Sequence, residues 1–258
     1  MALVVTGADF FRGPPVSDFL LFDVMNTNPA KDGLLGSYFL GKKNADPTYN
    51  FANPELPLIQ HGEPDITDYR HARLGRNLGY FDTQIPSQSS ITILNLGRQP
   101  ASGKIGVAVS SYMKDTSGNA SGDTIIKNWS GTVSRVGFYA QDTAASVKLA
   151  TRDDGVVANE YSAFGGLVTT AGTTVGVWSM NETTDPGFTS LVIGTRAVSG
   201  RTLLLGATYS DAEFLSTMDL SATLIYSGDI GGTNVRAVMN WLRNTVGVAA
   251  GIWSAPRG

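Results

Sequence analysis

Residues 218–226 constrain this chain more than any other stretch. Met218, Leu220, Ala222, Leu224 and Tyr226 alternate there with Asp219, Ser221 and Thr223. Successive side chains of an extended strand point to opposite faces, so this period of two predicts a strand with one apolar and one polar face. A slip by one residue would carry an aspartate to the apolar side, which specifies the register. The period then changes. Val235, Val238, Met239, Leu242 and Val246 form a helical stripe, which predicts one helix over 233–246 lying on the strand layer. Thr233 or Asn234 can cap its start. Arg243 suits its last turn and Gly247 its end.

Upstream, short apolar runs recur between turn residues. Strands are expected over 36–41, 78–83, 90–96, 104–110, 132–140, 146–150, 173–180, 190–197 and 201–207. Residues 44–57, 115–123, 152–155 and 182–187 are rich in Gly, Pro, Asn, Asp and Ser and are expected as loops. Many short strands with turns between them are the pattern of a sandwich or barrel.

Composition agrees. Only 16% of the 258 residues are charged, while 30 are glycine, a mix that suits strands and tight turns more than long helices. The net charge is −3 with no block of Lys or Arg, so the electrostatic footprint of nucleic-acid binding is missing. The chain has no cysteine and two histidines, which removes disulfides, thiolate metal sites and cysteine catalysis. No apolar run reaches the length of a membrane span, so membrane insertion is not expected. The apolar start lacks a preceding basic residue and makes a poor signal peptide.

The first 33 residues differ from the rest. Gly13-Pro14-Pro15 breaks regular structure, and an apolar stretch follows before Asn28-Pro29. This segment reads either as a first element of the main core or as an arm docking on a neighbouring subunit through Phe10, Phe11, Phe19, Leu20, Leu21 and Phe22. The division expected is an arm over 1–33 and one domain over 34–258.

The order of these elements resembles the laminin-G-like, concanavalin A-like jelly rolls of phage and bacterial proteins. The likeness is carried by Leu35 to Gly41, by Gly79-Tyr80-Phe81-Asp82-Thr83, by 90–96 and by Leu203-Leu204-Leu205-Gly206. It closes with Ala222 to Ser227 and a helix holding Trp241-Leu242. Ile230-Gly231-Gly232-Thr233-Asn234 stands where the family has Leu-Ser-x-x-Glu. The opening Thr6-Gly7-Ala8-Asp9-Phe10 is similar to the start of phage virion proteins with such a domain. The resemblance implies a mostly β fold: an antiparallel jelly-roll β-sandwich with one C-terminal α-helix and an N-terminal arm. It also implies a tail, baseplate or fibre protein, assembled in the host cytoplasm into the virion. Its expected partners are other virion proteins and further copies of itself, a homo-oligomer, with host surface glycan as ligand. The alternatives are a freestanding carbohydrate-binding module and a polysaccharide-degrading enzyme.

The candidate chemistry is sparse. A retaining glycosidase needs two carboxylates roughly 5 Å apart, and no Glu-x-Asp-x-x-Glu pattern is present, so no enzyme is expected. The acidic clusters Glu63/Asp65/Asp68 and Asp153/Asp154 fall in expected loops. Sugar binding on this fold would use a rim aromatic beside amides, which selects Trp129 with Asn128 and Tyr161 with Asn159. Trp178, Trp241 and Trp253 read as packing residues. No cofactor is implied. The metal these residues could hold is calcium, through Asp115, Asn119 and Asp123 or through Asp153 and Asp154, although ordinary turn chemistry explains the same residues. His61 and His71 read as solvent-facing loop residues.

Overall fold

The computed structural model describes residues 19–42, 44–99, 103–130, 133–143, 146–154, 159–170, 174–180 and 186–254, with the side chains of 19–22, 129, 130, 133 and 174 outside the description. In chain order these form helix α1 (Phe19–Asn26) and strands β1 (Leu34–Phe39), β2 (Ile59–Gly62), β3 (Ala72–Leu74), β4 (Gly79–Pro86), β5 (Ile91–Arg98) and β6 (Ile105–Ser110). Next come β7 (Met113–Lys114), β8 (Ala120–Ser121), β9 (Thr124–Ser130), β10 (Val133–Thr143), β11 (Ser146–Asp153) and β12 (Ser162–Val168). The chain closes with β13 (Thr174–Met180), β14 (Gly187–Val192), β15 (Thr202–Leu205) and β16 (Met218–Ser227), then α2 (Gly232–Trp241), a π-helical turn (Leu242–Val246) and α3 (Gly247–Ala249).

Two seven-stranded sheets carry the fold. The first runs β1-β16-β5-β12-β13-β14, with β3 also on β16, and the second runs β11-β10-β9-β6-β15-β4-β2. Strand pairs within both are antiparallel. Phe81, Phe138, Phe164, Ile91, Ile93 and Leu205 fill the space between them. This is the antiparallel jelly-roll sandwich that the sequence predicts, with its helix at the C-terminus. A second apolar layer lies outside the first sheet, where Leu94, Leu96, Leu224 and Tyr226 meet Val235, Val238, Met239 and Leu242.

That second layer revises the reading of the closing strand. The ladder from β16 to β5 shifts between Leu220 and Ala222. Met218 and Leu220 therefore face the inter-sheet core, whereas Ala222, Leu224 and Tyr226 face the helices. The five apolar residues do not share one face, because one extra residue at a β-bulge inverts the alternation beyond it. Asp219 is also fully buried, against the expected solvent exposure.

The C-terminal helix differs from expectation at both ends. Its N-cap is Gly231, with no side-chain cap, so neither Thr233 nor Asn234 fills that role. Packing of its apolar stripe, rather than capping, holds it. The chain stays helical through Gly247, whose φ is −65°. It stops at Gly251, where the Ile252 N–H reaches Gly247 O and the Gly251 N–H reaches Val248 O, the paired bonds of a Schellman end. Gly247 serves close packing instead: a Cβ there would lie 2.3 Å from the Trp253 ring.

The segment read as an arm serves this domain's own core from Met25 onward. Met25 and Ala30 join the helix layer. The Asn28 side-chain amide donates to the Tyr226 hydroxyl at 2.9 Å, and the Trp241 indole donates to Thr27 Oγ1 at 3.0 Å. Phe10, Phe11 and the side chains of Phe19, Leu20, Leu21 and Phe22 lie outside the described residues.

Candidate functional site

An aromatic groove crosses the outer face of the second sheet. Residues 206–217 leave β15 and travel along β6, tied by the Gly206 N–H to Ala108 O, the Tyr209 N–H to Tyr112 O and a bridge between Ser216 and Gly106. This path sets Glu213, Phe214 and Leu215 above β6 and β10. On β10, Phe138 and Ala140 face the core, so Tyr139 between them faces outward. Tyr112 follows β6 and completes a triangle: Tyr112 to Phe214 is 5.4 Å, Tyr139 to Phe214 5.9 Å and Tyr112 to Tyr139 6.3 Å between ring centroids. The cavity they line has a volume of about 420 Å³ and also includes Lys104, Ile105 and Glu213.

Phe214 sits at φ 56°. A bulky non-glycine residue in the left-handed region carries steric cost, which surrounding contacts must offset. Here they include the two tyrosine rings and the pinned Glu213 beside it. Glu213 accepts the Tyr112 hydroxyl at 2.7 Å and the Lys114 ammonium at 2.8 Å. Burial pushes the Glu213 carboxyl upward, but the hydrogen bonds from Lys114 and Tyr112 outweigh it and the net shift is downward. Burial, then Glu213, raises the Tyr112 phenol, and burial followed by the Glu213 charge raises Tyr139. Both phenols therefore stay protonated near neutral pH. Among the described residues lining the cavity, Glu213 alone is acidic. The groove offers flat apolar faces edged by fixed hydroxyl, carboxylate and ammonium groups.

No protein-family model matches the chain, and no curated protein matches its sequence. Solved structures do match in fold. The CBM40 domain of the Ruminococcus gnavus IT-sialidase, bound to α2,3-sialyllactose, aligns at a TM-score of 0.51 and 11% identity over 70% of this chain and 97% of that one. The K499G mutant of NanB sialidase from Streptococcus pneumoniae aligns at 0.50 and 12% identity, over 69% of this chain and 27% of that one. The receptor-binding domain of botulinum neurotoxin mosaic serotype C/D aligns at 0.52 and 12% identity, over 81% of this chain and 51% of that one. At these identities the likeness shows the β-sandwich fold alone, and none of the three is a virion protein.

The residues singled out in the sequence are dispersed. Asn128 and Trp129 lie near the end of β9. Asn128 pairs with Ile105 and Arg135, which places it at the Ile105 end of the groove. The Trp129 side chain lies outside the described residues. Asn159 is exposed at φ 65°.

Tyr161 is not a rim platform, because it is buried and fully engaged. Its hydroxyl meets His71 Nδ1 at 2.5 Å, and the Arg98 guanidinium lies 4.9 Å from its ring centre. Burial pushes its phenol up to about 12. His71 is likewise buried, not solvent-facing. Its Nε2 lies 3.1 Å from Asp219, which also accepts Arg73 Nε at 2.8 Å, Arg73 Nη2 at 3.1 Å and Arg98 Nε at 2.8 Å. His61 is exposed and stacks on Tyr80 at 4.9 Å.

The calcium candidates do not assemble. Asp115 accepts the backbone N–H groups of Ser117 and Asn119 and the Asn119 amide, a closed exposed turn. Asp123 is buried elsewhere, where both its oxygens face Arg196 nitrogens at 2.7 Å. A carboxylate neutralised by a bidentate guanidinium is not free for a cation. Asp153 faces Arg135, while Asp154 is buried against Lys127 at 2.9 Å. Among the described residues, no three His, Asp or Glu side chains converge as metal ligands would.

Sequence reasoning missed the groove itself. Tyr112, Tyr139 and Phe214 are far apart in the chain, and 211–215 carries no periodic signal. The aromatic content of 112, 139 and 214 becomes a pattern only after β6, β10 and the 206–217 segment are adjacent.

Proposed function

We propose that this domain is a carbohydrate-binding module that takes a glycan in the Tyr112–Tyr139–Phe214 groove. The observation that carries the reading is Phe214, a bulky aromatic held at a costly backbone angle over a cavity edged by Lys104 and by Glu213, which Lys114 holds in place. Strain of this kind persists where the surroundings enforce it, and it concentrates at binding surfaces. The apolar face of a sugar ring suits the electron-rich face of an aromatic ring, while its hydroxyls can meet Glu213, Lys114 and the tyrosine phenols. The sialyllactose bound to the CBM40 neighbour supports this reading over a virion role.

The test is a glycan array with the intact chain, followed by titration of the best-bound glycan. Phe214→Ala should weaken binding by about 2 kcal/mol, some thirtyfold, as loss of a buried aromatic anchor does. Tyr139→Ala should weaken it less. Unchanged binding in both variants would move the site elsewhere, and an array without signal would remove the function.

A further inference from the structure

The first sheet carries an aromatic cleft on its own outer face, on the opposite side of the sandwich from the groove. The helix layer covers β16 and β5 and reaches Ala163, Trp178 and Met180 on β12 and β13, while Phe188, Leu191 and Val192 on β14 stay exposed. A cleft of about 580 Å³ lies there, between the edge strands and the start of α2, within the range of small-ligand sites. Leu167, Trp178 and Phe188 supply its apolar wall, and Asp229, Thr233 and Arg236 its polar wall.

Phe188 is 47% exposed yet firmly placed. It pairs across the ladder with Trp178, their ring centroids 4.7 Å apart. Its ring also occupies the space above Gly176, where a Cβ would stand 2.3 Å from a ring carbon. Only glycine at 176 lets the ring lie on the strand. An aromatic ring fixed in this way and still open to solvent is a preformed stacking face. Asp229 uses Oδ1 to accept the Gly231 N–H at 2.8 Å, which fixes the carboxylate. Arg236 can only donate, Asp229 can only accept, and Thr233 can do both. Adjacent hydroxyls on a ring both donate and accept, so they satisfy such a set, whereas a carboxylate on the ligand would meet Asp229.

We infer that this cleft is a second carbohydrate site, one that takes a neutral pyranose ring stacked on Phe188 and bonded to Asp229 and Arg236. The inference rests on the glycan-binding reading and makes the domain bivalent, with ligands on opposite faces.

The two sites can be told apart by following the Trp178 indole N–H in ¹⁵N NMR spectra of the intact chain, assigned through Trp178→Phe. The probes are the methyl glycosides of galactose, glucose, mannose and N-acetylglucosamine, with lactose. At least one should shift the Trp178 signal saturably. That shift should be unaltered in Phe214→Ala and weakened about tenfold or more in Phe188→Ala, the scale of one lost aromatic contact. Phe188→Leu keeps the apolar cover of Gly176 and should weaken it as well. A Trp178 signal that no probe moves, or that moves in both Phe188 variants as it does in the unaltered chain, would overturn the second site while leaving the groove standing. A response that survives in Phe214→Ala beside an array signal indifferent to that substitution would do the reverse.

Discussion

At the scale of single residues, Asp219 shows how much charge this domain hides. It is fully buried on β16 and faces Arg73, Arg98 and His71. Burial opposes its ionisation, but the hydrogen bonds from His71 and Arg73 outweigh that cost and hold the carboxyl well below the usual range. Asp68 is lowered too, chiefly by its hydrogen bond to Arg70. A carboxylate whose folded pKa lies below its unfolded one contributes stability that is complete above the unfolded value, about 4, and is lost as pH falls toward the folded value. Urea midpoints measured from pH 7 down to pH 2 should therefore fall steeply below about pH 4. In Asp219→Asn that dependence should flatten, on a lower plateau. An acid limb of unchanged slope in the variant would assign the acid sensitivity to other groups.

At the scale of elements, the sequence revealed strands wherever one face was apolar and the other polar. Strand β4 is such a case, its burial alternating along its length. Strands β9 and β12 went unread for opposite reasons. β12 is buried on both faces and holds Gly165-Gly166, so it has no alternation to detect. β9 places Lys127 inside the sandwich, where an isolated lysine contradicts the pattern. Strand β2 is exposed throughout and carries no apolar signal. The helix stripe was legible, but its glycine was not: Gly247 looks like a stop and is a packing contact. Gly247→Ala should therefore cost about 1–3 kcal/mol, the usual range for overpacking, despite alanine's better helix propensity. Thermal unfolding of this variant alone and with Trp253→Ala checks it. The pair should be less than additive, because removal of the ring removes the clash.

At the scale of the whole molecule, the two sheets enclose polar plugs as well as apolar residues. Lys127 and Asp154 pair at 2.9 Å with their side chains essentially inaccessible, and the Lys127 ammonium lies 5.3 Å from the Phe164 ring centre. Burial lowers the lysine pKa and the Asp154 charge counters it in part. Breaking such a pair leaves one charge stranded, at a cost of about 3–5 kcal/mol, whereas replacing both members with apolar residues is often neutral. Lys127→Met should thus be strongly destabilising in urea, and Lys127→Met with Asp154→Leu should recover most of the loss. A double variant less stable than the single one would show that the pair contributes net stability to the sandwich. The candidate site was least legible at this scale, because it depends on which distant strands become neighbours.

The place of β16 also bears on how the chain can be made. It follows every other described strand in the chain, yet it lies between β1 and β5, two of the earliest. Until 218–227 emerge, those two strands face each other across a gap, each with an unpaired edge in what will be the middle of the sheet. Pairing at such sequence distance is slow, and open edges invite association between chains. The first sheet therefore cannot close until residues 218–227 are available, with β16 as the bolt that shuts it. A chain cut short before residue 218 would be a hazard to its neighbours, not a partial module.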